Sequence, residues 1–284
     1  MSMYDKARSF TGLHVKGSPI ILYNAWNVGS AKAIVQAGAK AIATSSWAVA
    51  HALGYDDGER IPKELVEEVA GGIVEAVEVP VTIDFEGGYS EDEDELAKNV
   101  GRLLHYGIVG INLEDRVVNG SGLYAAEQQA SRIAAARAAA DKKDVELFIN
   151  ARPDLFLGSV DDHATHVEEA IERGKIYAAA GASGFFVPGL RQAPLIARIC
   201  ESVTLPVNVM YVEGLPESDH LAGLGVSRIS YGNTPYLRAM EAVRKRAEEI
   251  FRDHRAQAQQ VRRYAAAGVA LPLRGRGEQT PASN

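Results

Sequence analysis

The run from Val79 to Asp115, VPVTIDFEGGYSEDEDELAKNVGRLLHYGIVGINLED, decides the fold. VPVTIDFE is rich in β-branched residues and ends in two acids spaced two apart. EDEDELAKNVGRLLHYG then carries helix formers with apolar residues at helical spacing, and VGINLED returns to a strand-like pattern. No hairpin signal joins the two strands. A strand, a helix and a second strand in this order call for parallel pairing, because parallel neighbours need a crossover connection.

The same unit recurs on both sides. PIILYNAW precedes GSAKAIVQAGA, AIATSS precedes PKELVEEVAGGIVEAV, VELFINARPD precedes HATHVEEAIERGKIYAAAG, and SGFFVPGL precedes QAPLIARICESV. LPVNVMY with PESDHLAGLG and VSRISYG with TPYLRAMEAVRKRAEEIFRDHRAQ complete the series. Eight strand-then-helix units predict an α/β fold of the (β/α)8 TIM-barrel type. A doubly wound open sheet is the alternative, but no Gly-x-Gly-x-x-Gly follows the first strand. Residues 1–266 read as a single barrel domain with a C-terminal helical extension, and 267–284 as a flexible tail that has lost apolar periodicity.

The 284 residues carry a formal net charge of -7, so there is no basic stripe to follow a nucleic-acid backbone. No segment offers about 20 uninterrupted apolar residues, which argues against a membrane partner. One cysteine, Cys200, excludes an intrachain disulfide, and a cytoplasmic enzyme with a small-molecule substrate is the expectation. Cys200 reads as a buried small apolar group.

In such a barrel the strand C-termini carry the active site. The polar residues there are Asn24, Ser45, Ser46, Asp84, Glu86, Glu114, Asp115, Arg152, Asp154, Asn208 and Tyr231. Strand alternation puts Thr82, Asp84 and Glu86 on one face of the third strand, as it does Asn112 and Glu114 on the fourth and Asn150, Arg152 and Asp154 on the fifth, and one register can aim all of these inward. Carboxylates converging in a cleft repel one another unless a cation or protonation relieves them, and an all-oxygen set favours Mg2+ over zinc. The bland alternative is that Asp84 or Glu114 caps a helix or pairs with Arg152 or Arg116.

The acids from Glu91 to Glu95 have a different reading. Ser90 with Glu93 forms a capping box, and the run lies near a positive helix terminus facing water. His163 and His166, three apart on an outer helix, read as exposed surface residues, and His51 as a loop-packing residue. Residues 116–124, with Asn119, Gly120, Ser121 and Gly122, would serve as a lid or as an exposed connection.

At this point SSWAVAHALGYDD, VPVTIDFEGGY, GINLED, FINARPD, FFVPGL and PVNVM resemble, in order, motifs of the isocitrate lyase/phosphoenolpyruvate mutase superfamily. The resemblance runs from about Pro19 to about Tyr231. It implies a modified TIM barrel whose eighth helix is swapped onto a neighbouring subunit, in a homodimer or homotetramer. It also implies Mg2+, with Mn2+ as a substitute, held by Asp84, Glu86 and Glu114, while Asp57 serves the metal's water shell. Ser45, with the backbone of Ser46 and Trp47, would grip a substrate carboxylate, and Arg152 would pair with its charge. Asp57, Glu114 and Arg152 are the catalytic candidates. Asn208 and Tyr231 join the substrate-binding set.

Members act on 2-oxo or 2-hydroxy carboxylates through an enolpyruvate-like intermediate. This chain departs from the lyases in reading LEDRVVNGSGLYAAEQQ after the fourth strand, without their Cys-Gly-His loop, and from the phosphonate enzymes in having no lysine there until Lys142. It also places Glu86 where Asp-x-Asp is commoner. The expectation is a Mg2+-dependent C–C lyase or hydrolase acting on a small 2-oxo or 2-hydroxy (di)carboxylate through an enolate. A P–C mutase or phosphonopyruvate hydrolase is the second reading, and a non-catalytic 2-oxo acid-binding barrel the third. Tyr89, Tyr124, Tyr231 and His51 are candidate proton donors.

Overall fold

The computed structural model describes residues 2–118 and 120–266. The predicted tail, 267–284, and Asn119 of the suggested lid lie outside them. By internal contacts the chain divides into Met1–Tyr236 and Leu237–Asn284.

The first unit is the barrel. Its strands are β1 (Ile20–Leu22), β2 (Ile42–Ala43), β3 (Val81–Asp84), β4 (Gly110–Glu114), β5 (Phe148–Arg152), β6 (Gly184–Val187), β7 (Val207–Met210) and β8 (Arg228–Ser230). All pair in parallel, in the order β1-β8-β7-β6-β5-β4-β3-β2. A bridge between Ala25 and Thr44 joins the two ends, so the sheet is a nearly closed (β/α)8 barrel, as the eight repeated units predict. Asn24 reinforces this seam. Its Nδ2 donates to the Thr44 carbonyl at 2.7 Å, while its Oδ1 accepts the Tyr231 and Gly232 amides, each at 2.9 Å.

The crossover helices are α2 (Val28–Gln36), α4 (Lys63–Ala76), α5 (Glu93–His105), α6 (Ala126–Asp141), α7 (His163–Ala179), α8 (Ala193–Ser202) and α9 (Ser218–Gly223). Two further helices have no counterpart in the sequence reading: α1 (Met3–Gly12) and the short α3 (Ser46–Ala52) directly after β2. Helix α1 supplies Phe10, which is fully buried against Phe148 at the start of β5, and His14 stacks on that same ring at 4.0 Å. Burying a phenylalanine contributes about 1.5–3 kcal/mol. Gly110, at the start of β4, is required here, because a Cβ would lie 2.9 Å from the Phe10 ring and 2.7 Å from Thr82 Oγ1.

Helix α5 begins two residues later than the capping box at Ser90 predicts. Its N-cap is Asp92, whose Oδ1 accepts the Glu95 amide at 2.8 Å, whereas Ser90 Oγ accepts the Asp92 amide. Glu93 is therefore the first helical residue and cannot close a box. The acidic run does face solvent at the helix start, where the dipole favours negative charge.

The last helix, α10 (Thr234–Ala266), continues from the barrel into the second unit. Beyond Tyr236 it is charged, with Arg244 paired to Glu241 and Glu248 one turn away on either side. Leu237, Met240, Val243, Ile250 and Phe251 are nevertheless exposed. No helix among the described residues is long and apolar enough to cross a membrane.

Candidate active site

Parallel register sets the core of the site. Glu114 and Arg152 are Cα partners at the ends of β4 and β5, and Asp84 is partnered with Asn112 one step lower on β4. Arg152 Nη1 lies 2.5 Å from Glu114 Oε1 and 3.7 Å from Asp84 Oδ1, while its Nε donates to Asp154 Oδ1 at 2.7 Å. One guanidinium thus stands among three carboxylates at the strand C-termini.

Asp84 is aimed by further donors. Ser46 Oγ donates to its Oδ2 at 3.0 Å, the Ser46 amide lies 3.4 Å from that oxygen, and Asn112 Nδ2 donates to Oδ1 at 3.2 Å. Below it, Asn150 Nδ2 donates to Asn112 Oδ1 at 2.9 Å, and the fully buried Arg228 reaches the same oxygen at 3.4 Å. The acceptor side of the site thus rests on a polar layer within the barrel.

The electrostatics follow from burial and crowding. Burial pushes Glu114 well above the usual carboxylate range, Arg152 pulls it back, and Asp154, Asp84 and Glu86 push it up again. Burial alone would lower Arg152, but Glu114, Asp154 and Asp84 more than reverse this and hold it charged. Asp57 is raised by desolvation first and by the Asp84 charge second. Glu86 is pushed up to about 8, mainly by burial and then by Asp57, Asp84 and Glu59. Carboxylates raised together mark a pocket short of positive charge.

The expected alternation through Thr82, Asp84 and Glu86 stops at the end of β3. Glu86 has a left-handed backbone at φ 49°, which turns its side chain toward the 57–60 loop, and its Oε2 accepts the Glu59 amide at 2.7 Å. Its Oε1 is buried with no protein partner. The pocket, of about 320 Å3, is lined by Asp57, Glu59, Arg60, Glu86, Glu114, Arg116 and Arg152, among others. Glu59 and Arg60 were missed by the sequence reading, because their place depends on a contact between loops 27 residues apart.

The remaining candidates separate. Ser45 Oγ sits 3.4 Å from the Ala48 amide as the cap of α3, so Ser46 rather than Ser45 turns its hydroxyl toward the acids. Trp47 stacks on His51 at 3.6 Å, which gives His51 the packing role expected of it. Asn208 is buried with its Oδ1 accepting from Ser230 Oγ, and Tyr231 stacks on Tyr211 at 4.8 Å.

Tyr124, a proton-donor candidate, is buried, with Arg132 over its ring and its hydroxyl accepting the Val118 amide at 3.3 Å. Burial raises Tyr89 far above its ordinary value. His163 is not a surface residue as expected. It is buried against Phe156, with Nδ1 3.1 Å from Gln192 Oε1, because the start of α7 folds under the 154–156 turn. Cys200 is buried, as its apolar setting predicts, and burial pushes it up to about 11.

Glu114 and Asp115 point opposite ways. Asp115 is fully buried and accepts from the Asp154 amide at 3.0 Å, Arg173 Nη1 at 3.0 Å and the Tyr177 hydroxyl at 2.9 Å. It anchors the Arg152–Asp154 segment to α7.

The donor chemistry suits a hard divalent cation. Among the described residues no three acidic, histidine or cysteine side chains form a ready-made metal shell, because Arg152 stands between Asp84 and Glu114. Mg2+ does not require one. It keeps several waters and is bound through one or two carboxylates, and the crowding of Asp57 and Glu114 around Asp84, which raises both, is a feature a cation would relieve.

A family model described as phosphoenolpyruvate phosphomutase matches residues 10–251. The chain belongs to the phosphoenolpyruvate phosphomutase family. Within this family's wider superfamily of isocitrate lyases and phosphoenolpyruvate mutases, it is 34% identical over 242 residues to an uncharacterised protein of Mycobacterium tuberculosis, covering 85% of this chain and 88% of that one. It is 28% identical to an oxaloacetate decarboxylase of Pseudomonas savastanoi, over 85% of this chain and 83% of the relative. A solved structure from Burkholderia cenocepacia, assigned provisionally as a phosphonomutase, is 42% identical with a TM-score of 0.85, covering 87% of this chain and 99% of that one. The chain is also 24% identical to a 2-methylisocitrate lyase of Escherichia coli, over 88% of this chain and 85% of that one, and it shares its fold with a phosphonopyruvate hydrolase solved with oxalate and Mg2+, at 23% identity and a TM-score of 0.78.

Proposed function

We propose that the protein is a Mg2+-dependent lyase or hydrolase that breaks a C–C bond in a small 2-oxo or 2-hydroxy dicarboxylate, by way of an enolate. The observation that carries this reading is the guanidinium of Arg152 fixed among Asp84, Glu114 and Asp154 at the strand ends. It offers a permanent positive charge beside carboxylates that would share the other charge with a metal.

Asp84 and Glu114 would hold the ion, with Asp57 acting on its water. When bound, Mg2+ or Mn2+ supplies Lewis acidity toward the developing negative charge on the substrate oxygen. Arg152 meets the substrate carboxylate, and its bond to Asp154 fixes the guanidinium plane before substrate arrives, so little orientation remains to be acquired in the reaction. The Ser46 amide and hydroxyl, now directed at Asp84, would direct either that acid or a substrate oxygen. The likeness to an oxaloacetate decarboxylase supports a 2-oxo dicarboxylate as substrate.

Incubation with oxaloacetate and a panel of 2-alkylmalates, with and without Mg2+, tests this by release of pyruvate, glyoxylate or oxalate. Turnover of none of them, together with unchanged oxalate binding in Asp84→Ala, would sink it.

A second reading is favoured by Arg60 and Arg116 in the pocket wall and by the likeness to a provisional phosphonomutase. Two arginines there would suit a phosphonate group. Phosphorus NMR of a phosphonopyruvate incubation distinguishes it, through loss of the P–C resonance.

A further inference from the structure

Two carboxylates clasp the 57–60 loop to the turn that follows β3. Glu86 Oε2 accepts the Glu59 amide at 2.7 Å, and Glu59 Oε1 in return accepts the Tyr89 amide at 2.8 Å. Glu59, Glu86 and Tyr89 all have left-handed backbone, at φ 61°, 49° and 62°. Residues with a Cβ seldom adopt it, and they keep it only where the surroundings over-determine it. Three such residues meeting in one contact mark an arrangement selected for more than chain reversal.

The turn side of the clasp is firmly anchored. Arg132, fully buried, donates to the carbonyls of Gly87, Ser90 and Glu91, and Asn99 Nδ2 donates to the Gly88 carbonyl at 2.8 Å. The other side carries Asp57 into the pocket wall next to Glu86 and Glu114. An aspartate at 86 would be one methylene shorter and would leave the Glu59 amide beyond hydrogen-bond reach.

We propose that Glu86 and Glu59 are positioning residues, a reciprocal latch that sets the 57–60 loop so that Asp57 faces the site. Glu86 thus acts through Asp57 rather than as a direct ligand. The part of this inference that concerns ligand binding rests on the reading of the pocket given above, and the part that concerns the latch does not.

Amide hydrogen exchange by NMR at Glu59 and Tyr89, with calorimetric titration of oxalate in the presence of Mg2+, tests it on the full chain. Glu86→Ala and Glu86→Asp should each lose about tenfold or more in protection at the Glu59 amide and a similar factor in oxalate affinity. Glu86→Gln, whose amide oxygen still accepts, should keep the protection and bind oxalate within about threefold of the parent. Glu59→Ala should free the Tyr89 amide and weaken oxalate in the same way, and it stands in if a substitution at 86 prevents folding. Native protection in Glu86→Asp would overturn the latch. So would a Glu86→Gln protein that keeps protection yet loses oxalate, which would mean direct ligation, or lost protection with unchanged affinity. If the parent fails to bind oxalate with Mg2+, the proposed function falls, and the exchange measurement still decides the latch.

Discussion

Arg152 and Glu114 are register partners on adjacent strands and touch at 2.5 Å, with most of both side chains removed from water. Removing one member of such a pair leaves a buried charge uncompensated, which costs about 3–5 kcal/mol. Arg152→Met should lose that much in urea unfolding. Arg152→Lys keeps the charge but not the fork that also engages Asp154, so stability should fall less while oxalate affinity in Mg2+ drops about 10- to 100-fold. Equal oxalate affinity in the lysine variant would contradict the assignment of Arg152 to substrate.

His14 makes stability depend on acid. Burial lowers it to about 3, Arg228 adds to the effect, and the Phe10 carbonyl opposes both. Its folded value lies below its unfolded value near 6.5, so the unfolded chain takes up the extra proton. The stability from the neutral ring is therefore complete above about pH 6.5 and is lost as pH falls toward 3, at about 1.4 kcal/mol per pH unit. His14→Phe, which keeps a ring against Phe148, should flatten the difference in unfolding free energy between pH 7 and pH 4. An unchanged slope would exclude His14 as its source.

Asp115 should matter for stability and for the site together. Asp115→Ala removes the acceptor of Arg173, Tyr177 and the Asp154 amide at once, and a loss of about 2–4 kcal/mol is expected. Because Asp154 orients Arg152, oxalate affinity should fall as well, and retained affinity in a destabilised variant would assign Asp115 a purely structural part.

Arg228 runs the other way. It is fully buried, its Nη1 has no protein partner, and burial pushes it down to about 9. Its folded value lies below its unfolded value, so it opposes folding at neutral pH. Replacing a poorly compensated buried charge with an apolar side chain of similar size is often neutral or stabilising by about 1–4 kcal/mol. Arg228→Met should melt at or above the parent temperature.

The exposed Leu237, Met240 and Val243 lie on successive turns of α10, and an apolar groove of about 780 Å3 runs along β1, where Ile21 and Tyr23 are exposed. A homodimer or homotetramer in which α10 of a second copy covers such a groove is expected. Light scattering should give two or four copies, and Leu237→Glu with Val243→Glu should reduce the count. A monomeric parent protein would remove this expectation.

The barrel was legible in the sequence because its signal is periodic: β-branched runs, crossover helices, and acids where each strand pattern gives out. Asp84, Glu114 and Arg152 could be placed at one end of the barrel for that reason. What the sequence hid depends on single backbone torsions or on contacts distant in the chain. The left-handed turn at Glu86 lies beside two glycines, the residues to which such a conformation would ordinarily be assigned. Ser45 and Ser46 are neighbours of identical chemistry, and only the start of α3 decides which one caps and which one reaches Asp84. His163 looks like surface until the 154–156 turn closes over it.

The seam held by Asn24 has a consequence for how the chain is made. Ile20 pairs with Arg228, and Asn24 binds the amides of Tyr231 and Gly232, more than 200 residues later. β1 must therefore wait for nearly the whole barrel sequence to leave the ribosome before it meets its partner. Contacts this distant are slow to form and leave strand edges open in the interval. Biogenesis should be most vulnerable to aggregation and to chaperone capture at that stage, before the ring has closed.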